Sequence, residues 1–263
     1  QNRAVPSSFP ELLHRLVEHG PWLYDFKTVD LLEVFDKAKD VFAQDSTVLQ
    51  LRPTQMVIGD LRGRYVDLFR FFNTFGWPPH RSYLFLGGII DNEEEMSIEC
   101  MALLAALKSA LPSYIFILRG VGETVPYAPG KRFPGRKGEA IANALHRMCN
   151  MLPVAAVINS RILCTHSGVT THFKGKSRLT NLVRPFNLDT MTEAGRRIIF
   201  AVPEHNCRMF RMRPHEKNGE VFGAKAVAKT LNTMKLSLHI RSHSPINDGY
   251  AVHWDNQVIS LWS

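Results

Sequence analysis

The feature that most constrains the fold is a threefold alternation between Met56 and Glu123, in which an apolar strand runs each time into a short glycine-containing turn. The expected strands are Gln55 to Ile58, Tyr83 to Leu86 and Tyr114 to Leu118. Their turns are Gly59-Asp60-Leu61-Arg62-Gly63, Gly87-Gly88-Ile89-Ile90-Asp91-Asn92 and Arg119-Gly120-Val121-Gly122-Glu123, with helical periodicity between them. Strand, crossover helix and strand in series give a parallel sheet whose functional loops gather at the carboxyl ends of the strands.

Elsewhere the pattern is also legible. Ser8-Phe9-Pro10-Glu11 has the form of a capping box opening a helix that Gly20 stops, and Leu31, Leu32, Val34, Phe35, Ala38, Val41 and Phe42 predict a helix over Thr28 to Ala43. The stretch Pro126 to Lys137 is expected as an exposed basic loop, and Glu139 to Met151 as a helix. A hairpin of Val154 to Ile158 and Arg161 to Thr165 should turn at Asn159-Ser160 and deliver His166. A helix through Ala226, Val227 and Leu231, a strand Leu236 to Arg241 and a last hairpin turning near Asp255-Asn256 complete the chain.

The three turns resemble the signature loops of the PPP family of serine/threonine protein phosphatases, GDxHG, GDxVDRG and GNHE, and are most similar to its type-1 branch. Collinear matches at Leu152-Pro153-Val154, Phe222-Gly223-Ala224 and Asp248-Gly249-Tyr250 extend the resemblance over residues 8–263. It implies an α/β, calcineurin-like metallophosphatase fold, a central β-sandwich flanked by helices. Residues 1–263 are expected to form a single PPP-type domain, with a C-terminal end that looks truncated relative to the family.

The same resemblance exposes departures at the positions that carry its chemistry. Asp60, His166 and His243 match metal ligands, but Arg62 replaces a ligating histidine, Gly88 the aspartate that bridges two ions, and Val121 an asparagine ligand. Gly122 stands for the general-acid histidine, leaving Asp91 nothing to orient, while Asn92 and Glu216 stand for phosphate-binding arginines and Arg241 matches a phosphate-facing one. Glu123, a lone carboxylate at a strand end, is read as structural. A guanidinium cannot ligate a cation. Arg62 is therefore expected in the vacated metal site, paired with Asp60, the alternative being solvent.

Chemistry that uses two ions about 3.5–4 Å apart to activate water cannot survive such losses. The leading expectation is a pseudophosphatase, without catalytic residues or cofactor, acting as a protein-interaction scaffold. Ile162, Leu238 and Val252 match apolar groove positions at which the family takes extended peptides of the RVxF type by strand addition. One alternative is a weak phosphatase with a single Zn, Mn or Fe ion at His166 and His243, aided by Asp60. The other is nucleic-acid binding through the basic run Lys174, Lys176, Arg178, Arg184, Arg196, Arg197, Arg208, Arg211 and Arg213, for which charge is the only support.

Composition enters as a bound. A 45% hydrophobic chain of 263 residues can bury a full core, and the formal charge of +8 favours acidic partners of some kind. Cys100, Cys149, Cys164 and Cys207 form no CxxC pair, which argues against a disulfide framework or zinc ribbon. With no apolar leader at Gln1 to Pro10 and no membrane-length run, a cytoplasmic or nuclear protein is expected, a leader already removed staying open.

Overall fold

The computed structural model describes residues 11–128, 130–175, 179, 182–214 and 219–263. The Ser8-to-Pro10 part of the expected capping box, and Lys176, Arg178 and Glu216, lie outside the described residues.

The chain runs α1 (Glu11–His19), α2 (Thr28–Gln44), β1 (Val48–Leu51), β2 (Gln55–Ile58), α3 (Tyr65–Phe75), β3 (Ser82–Phe85), α4 (Ser97–Ala110) and β4 (Ile115–Ile117). It continues with α5 (Gly135–Cys149), β5 (Ala155–Ile158), β6 (Ile162–Thr165), α6 (Glu193–Phe200), β7 (Val202–Pro203), β8 (Phe210–Met212) and β9 (Glu220–Phe222). The last elements are α7 (Ala224–Met234), β10 (Leu238–Arg241), β11 (Tyr250–His253) and β12 (Val258–Leu261). The expected strands and hairpins are found within a few residues. Two differences stand out: α5 begins at Gly135, so only part of the expected basic loop is a loop, and β7, β8 and β9 form a small sheet that no periodicity announced.

Two sheets face each other. One is the parallel trio β2-β3-β4; the other has six strands in the order β1-β5-β6-β10-β12-β11. Alternation along single strands shows how they stack, because successive side chains point to opposite faces. In and just after β3, Leu84 and Leu86 join Leu49, Leu51, Ala156 and Ile158 in the interior between the sheets, while Tyr83 and Phe85 join the helical core of α1 to α5. In β5, Ala156 and Ile158 face the interior and Ala155 and Val157 face a second helical layer, with Ile198, Ile199, Val227 and Leu231. The result is the α/β sandwich flanked by helices that the resemblance implies.

Helix α4 is buried all round over Ser97 to Lys108, as suits an element packed among α1, α2, α3 and β4. Its Lys108 reaches Asp45 at 2.9 Å and donates to the Pro112 carbonyl at 3.0 Å, which is how a fully buried ammonium is accommodated. No helix among the described residues is long and apolar enough to cross a membrane.

Candidate functional site

The strands β2, β3, β4, β6 and β10 all end at one rim, and the residues that follow them meet there. Asp60 follows β2, is 5% exposed, and accepts the His243 backbone N–H at its Oδ1 (3.0 Å). Its own N–H donates to Ser242 Oγ (2.8 Å), whose hydroxyl donates in turn to the Leu261 carbonyl (2.8 Å). Burial raises the Asp60 carboxyl above its ordinary range, opposed by its Ser242 and His243 hydrogen bonds.

His166 follows β6 and is fully buried. Its Nδ1 lies 2.9 Å from the Leu86 carbonyl, an acceptor only, so Nδ1 carries the hydrogen and Nε2 holds the lone pair. That Nε2 has no hydrogen-bond partner among the described residues. Burial, and then the Arg241 guanidinium, push His166 down to about 3. His243, at φ +75°, turns its ring to 5.1 Å from that of His166, and burial followed by His166 and Arg241 pushes it down to about 3 as well. Asp60, His166 and His243 can each bring a ligand atom within 4.8 Å of the other two. The three residues that the resemblance makes metal ligands are therefore brought side by side.

Glu123 is the strut of the rim. Its buried carboxylate accepts the N–H groups of Gly88 (2.9 Å), Ile89 (2.8 Å), Ile90 (3.2 Å) and Gly120 (2.9 Å). Burial raises its carboxyl, and the Gly88, Ile89 and Ile90 donors pull it back. The structural reading of this residue therefore holds.

The glycines mark where side chains have gone. A Cβ on Gly88, at φ +67°, would lie 2.4 Å from Asp60 Oδ2, and one on Gly122 would lie 2.2 Å from the Ile90 carbonyl oxygen. Neither distance is open to a real Cβ.

Two expectations are corrected. Arg62 does not pair with Asp60: its Nε donates to Asp91 Oδ2 at 2.6 Å, a second nitrogen contacts the same oxygen, and its guanidinium lies 5.9 Å from the Trp262 ring centre. The cause is backbone direction, since Arg62 sits at φ +47° and its side chain, 47% exposed, leaves the buried carboxylate behind. Arg241 does not face a phosphate site either. It is fully buried, donates from Nε to the Ser167 carbonyl (2.8 Å) and from other nitrogens to the hydroxyls of Ser167, Ser244 and Ser260, and burial lowers its pKa to about 9.

The remaining candidates have local roles. Asp91, far from idle, holds Arg62 and accepts the Glu93 N–H (3.0 Å). Asn92 clasps the following loop, donating to the Pro126 carbonyl (3.1 Å) and accepting from Ala128 N–H (2.9 Å). Val121 is half-buried against the second apolar layer. Together with Gly122, Glu93, Ile90, His243 and Trp262 these residues line a pocket of about 370 Å³. Its carboxylates are Asp60, Asp91 and Glu93 and its guanidinium is Arg62, already committed to Asp91. Trp262 and the Asn92 clasp were missed from sequence, the first for want of any motif around it.

Ile162 and Leu238 are direct register partners between β6 and β10, both half-buried. Val252 lies apart from them, across β12, on the edge strand β11, where it is 47% exposed opposite Ile259. In the basic run, Arg184 binds the carbonyls of Phe42, Met151 and Asp45, Arg197 pairs with Glu193 and Glu220, and Arg211 pairs with Glu204. Those three arginines serve the fold itself.

Residues 54–247 match the family of calcineurin-like phosphoesterases. Among curated proteins, serine/threonine-protein phosphatase BSL2 of Arabidopsis thaliana is 28% identical over 250 residues, covering 89% of this chain and 24% of the relative. Serine/threonine-protein phosphatase C23G10.1 of Caenorhabditis elegans is 28% identical over 246 residues, covering 90% of this chain and 53% of the relative. The chain thus spans about a quarter and about half of these proteins. A solved serine/threonine phosphatase of Saccharomyces cerevisiae, with similarity to human phosphatase PP5, superposes with a TM-score of 0.80 at 23% identity, over 90% of this chain and 78% of that one.

Proposed function

The chain belongs to the calcineurin-like phosphoesterase family, and from that premise we propose that it is a catalytically inactive relative of the serine/threonine protein phosphatases which works by binding a protein partner. The observation that carries this reading is the Ile90 carbonyl oxygen, 2.2 Å from where any side chain on Gly122 would begin. Backbone fills the place where the resemblance would put the general acid.

A two-ion centre does not fit these residues. Gly88 offers no bridging carboxylate, Arg62 is turned to Asp91, and Val121 is apolar. The electrostatics also disfavour a phosphomonoester dianion, because Asp60, Asp91 and Glu93 face the pocket and Asn92 is spent on its clasp. A weak, single-ion phosphatase is the second reading, favoured by the cluster of Asp60, His166 and His243. Hydrolysis of a phosphopeptide and of p-nitrophenyl phosphate with added manganese separates the two. No turnover above the blank is expected, whereas turnover that His166→Ala and His243→Ala abolish would overturn the inactive reading.

For the partner, the supporting feature is the edge strand β11, paired on one side only among the described residues and exposing Tyr250 and Val252. An extended peptide can add to such an edge through main-chain hydrogen bonds, with alternate side chains on the apolar face.

A further inference from the structure

We propose that the pocket at the rim receives an arginine side chain of a protein partner, held among the carboxylates of Asp60, Asp91 and Glu93 and against the ring of Trp262. Charge is the first ground. A second pocket, of about 260 Å³, shares Arg62, Asp91, Glu93 and Trp262 with the one of about 370 Å³. Asp60, Asp91, Glu93 and Glu94 line the pair, against two guanidiniums that are already engaged, Arg62 by Asp91 and Arg64 by Asp67. Among the described residues no lysine or arginine pairs with Asp60, Glu93 or Glu94. A chain of formal charge +8 thus carries a locally acidic mouth, which repels a phosphate and draws in a cation.

A guanidinium is already seated there. Arg62 donates from Nε to Asp91 Oδ2 at 2.6 Å, and its guanidinium carbon lies 5.9 Å from the Trp262 ring centre, within reach of a cation–π contact. A carboxylate beside an aromatic face suits the planar, weakly hydrated guanidinium better than an ammonium. Asp60 is an independent sign of a missing cation. Its carboxylate is 5% exposed, lines the larger pocket and has no cationic partner among the described residues, and a buried carboxylate so placed gains from a positive charge. The acidic loop is also fixed in advance. Ser97 Oγ accepts the Asp91 N–H (2.9 Å) and donates to the Asp91 carbonyl (2.7 Å), while Asp91 Oδ1 accepts the Glu93 N–H (3.0 Å). Little order is left to be lost on binding.

Only the source of the guanidinium rests on the protein-binding reading, so the pocket is probed without a partner and apart from any assay of turnover. Isotope-labelled protein is titrated with N-acetyl-arginine amide, with the citrulline analogue as neutral isostere and free L-arginine as the small-molecule source. The indole N–H of Trp262, assigned through Trp262→Phe, is followed by NMR. A saturable shift with the arginine amide is expected at a Kd on the order of 1 mM, weakening as salt is added. The citrulline analogue should bind roughly tenfold more weakly or not at all. Glu93→Gln and Asp60→Asn should each weaken binding by roughly threefold or more. Arg62→Ala should strengthen it by about the same factor, because it frees Asp91 and removes a like charge, and a damaged fold would not produce that gain. No saturable shift, an equal response to citrulline, weaker binding by Arg62→Ala, or tighter binding of free L-arginine than of the amide would overturn the assignment.

Discussion

The carboxylate of Asp60 lies where a side chain on Gly88 would have to start, 2.4 Å from an ideal Cβ at that position. A side chain at residue 88 and the present placement of the Asp60 carboxylate therefore exclude each other. Glu123 keeps the surrounding turns in place, since its carboxylate is bonded to the backbone of residues 88 to 90 and of Gly120.

Gly88→Asp, which would put back the carboxylate of the resembled pattern, is expected to destabilise the protein and to confer no hydrolysis. It adds a Cβ at φ +67° against Asp60 and places two buried carboxylates together. Backbone strain and overpacking together cost about 2–4 kcal/mol. Urea unfolding measures the change, and an unaltered midpoint would show that Asp60 moves aside freely.

Arg62→Ala should cost less than about 1 kcal/mol, because its guanidinium is nearly half exposed, so that water screens its pairing with the mostly buried Asp91. Had it been buried against Asp60, its removal would have cost about 3–5 kcal/mol. The same urea titration separates these outcomes.

Acid should weaken the fold through His239. This residue is fully buried in β10, with Nε2 2.8 Å from Thr165 Oγ1, and burial followed by Arg241 pushes its pKa down to about 3. The folded chain keeps it neutral, whereas the unfolded chain takes up a proton near pH 6.5. Its contribution is thus complete above about pH 6.5 and is lost as pH falls towards 3, at up to about 1.4 kcal/mol per pH unit. The unfolding midpoint should be lower at pH 5 than at pH 7, and His239→Gln should lessen the difference without removing it, because buried His166 and His243 are pushed down to about 3 as well. A midpoint that rises on acidification contradicts the assignment.

Much of the sandwich was legible because period-2 and helical patterns are local. Strand β2 was bounded correctly, and Tyr83-Leu84-Phe85-Leu86 shows in its alternation which face each residue covers. The sheet of β7, β8 and β9 was not legible, since strands of two or three residues carry no period. At the site, the identities of Asp60, His166 and His243 could be read, but how close they come depends on the turns that follow β2, β6 and β10, which carry no period. The direction of Arg62 depends on a positive φ in a residue that rarely adopts one. Arg241 was readable in principle: it shares the parity of the buried His239, not that of the half-buried Leu238 and Ile240.

The partner-binding edge gives the last prediction. Leu238 is a poor probe, because it is half-buried beside Ile162 inside the six-stranded sheet, and a carboxylate there would disturb the fold as well as any contact. Val252 is the better one. It is 47% exposed on β11, on the same strand as Tyr250 at 61%, and no strand pairs with the far side of β11 among the described residues. Val252→Asp should shift stability by no more than about 0.5 kcal/mol, as exposed substitutions usually do. If a peptide adds to β11, the same change should weaken its binding by roughly tenfold or more, since a charge would be buried against the added strand's apolar side chains. Hydrogen exchange in the complex should then protect the amides of Tyr250 to His253 that face away from β12. Unchanged binding by Val252→Asp and Tyr250→Asp, with protection elsewhere, would remove this edge as the docking site.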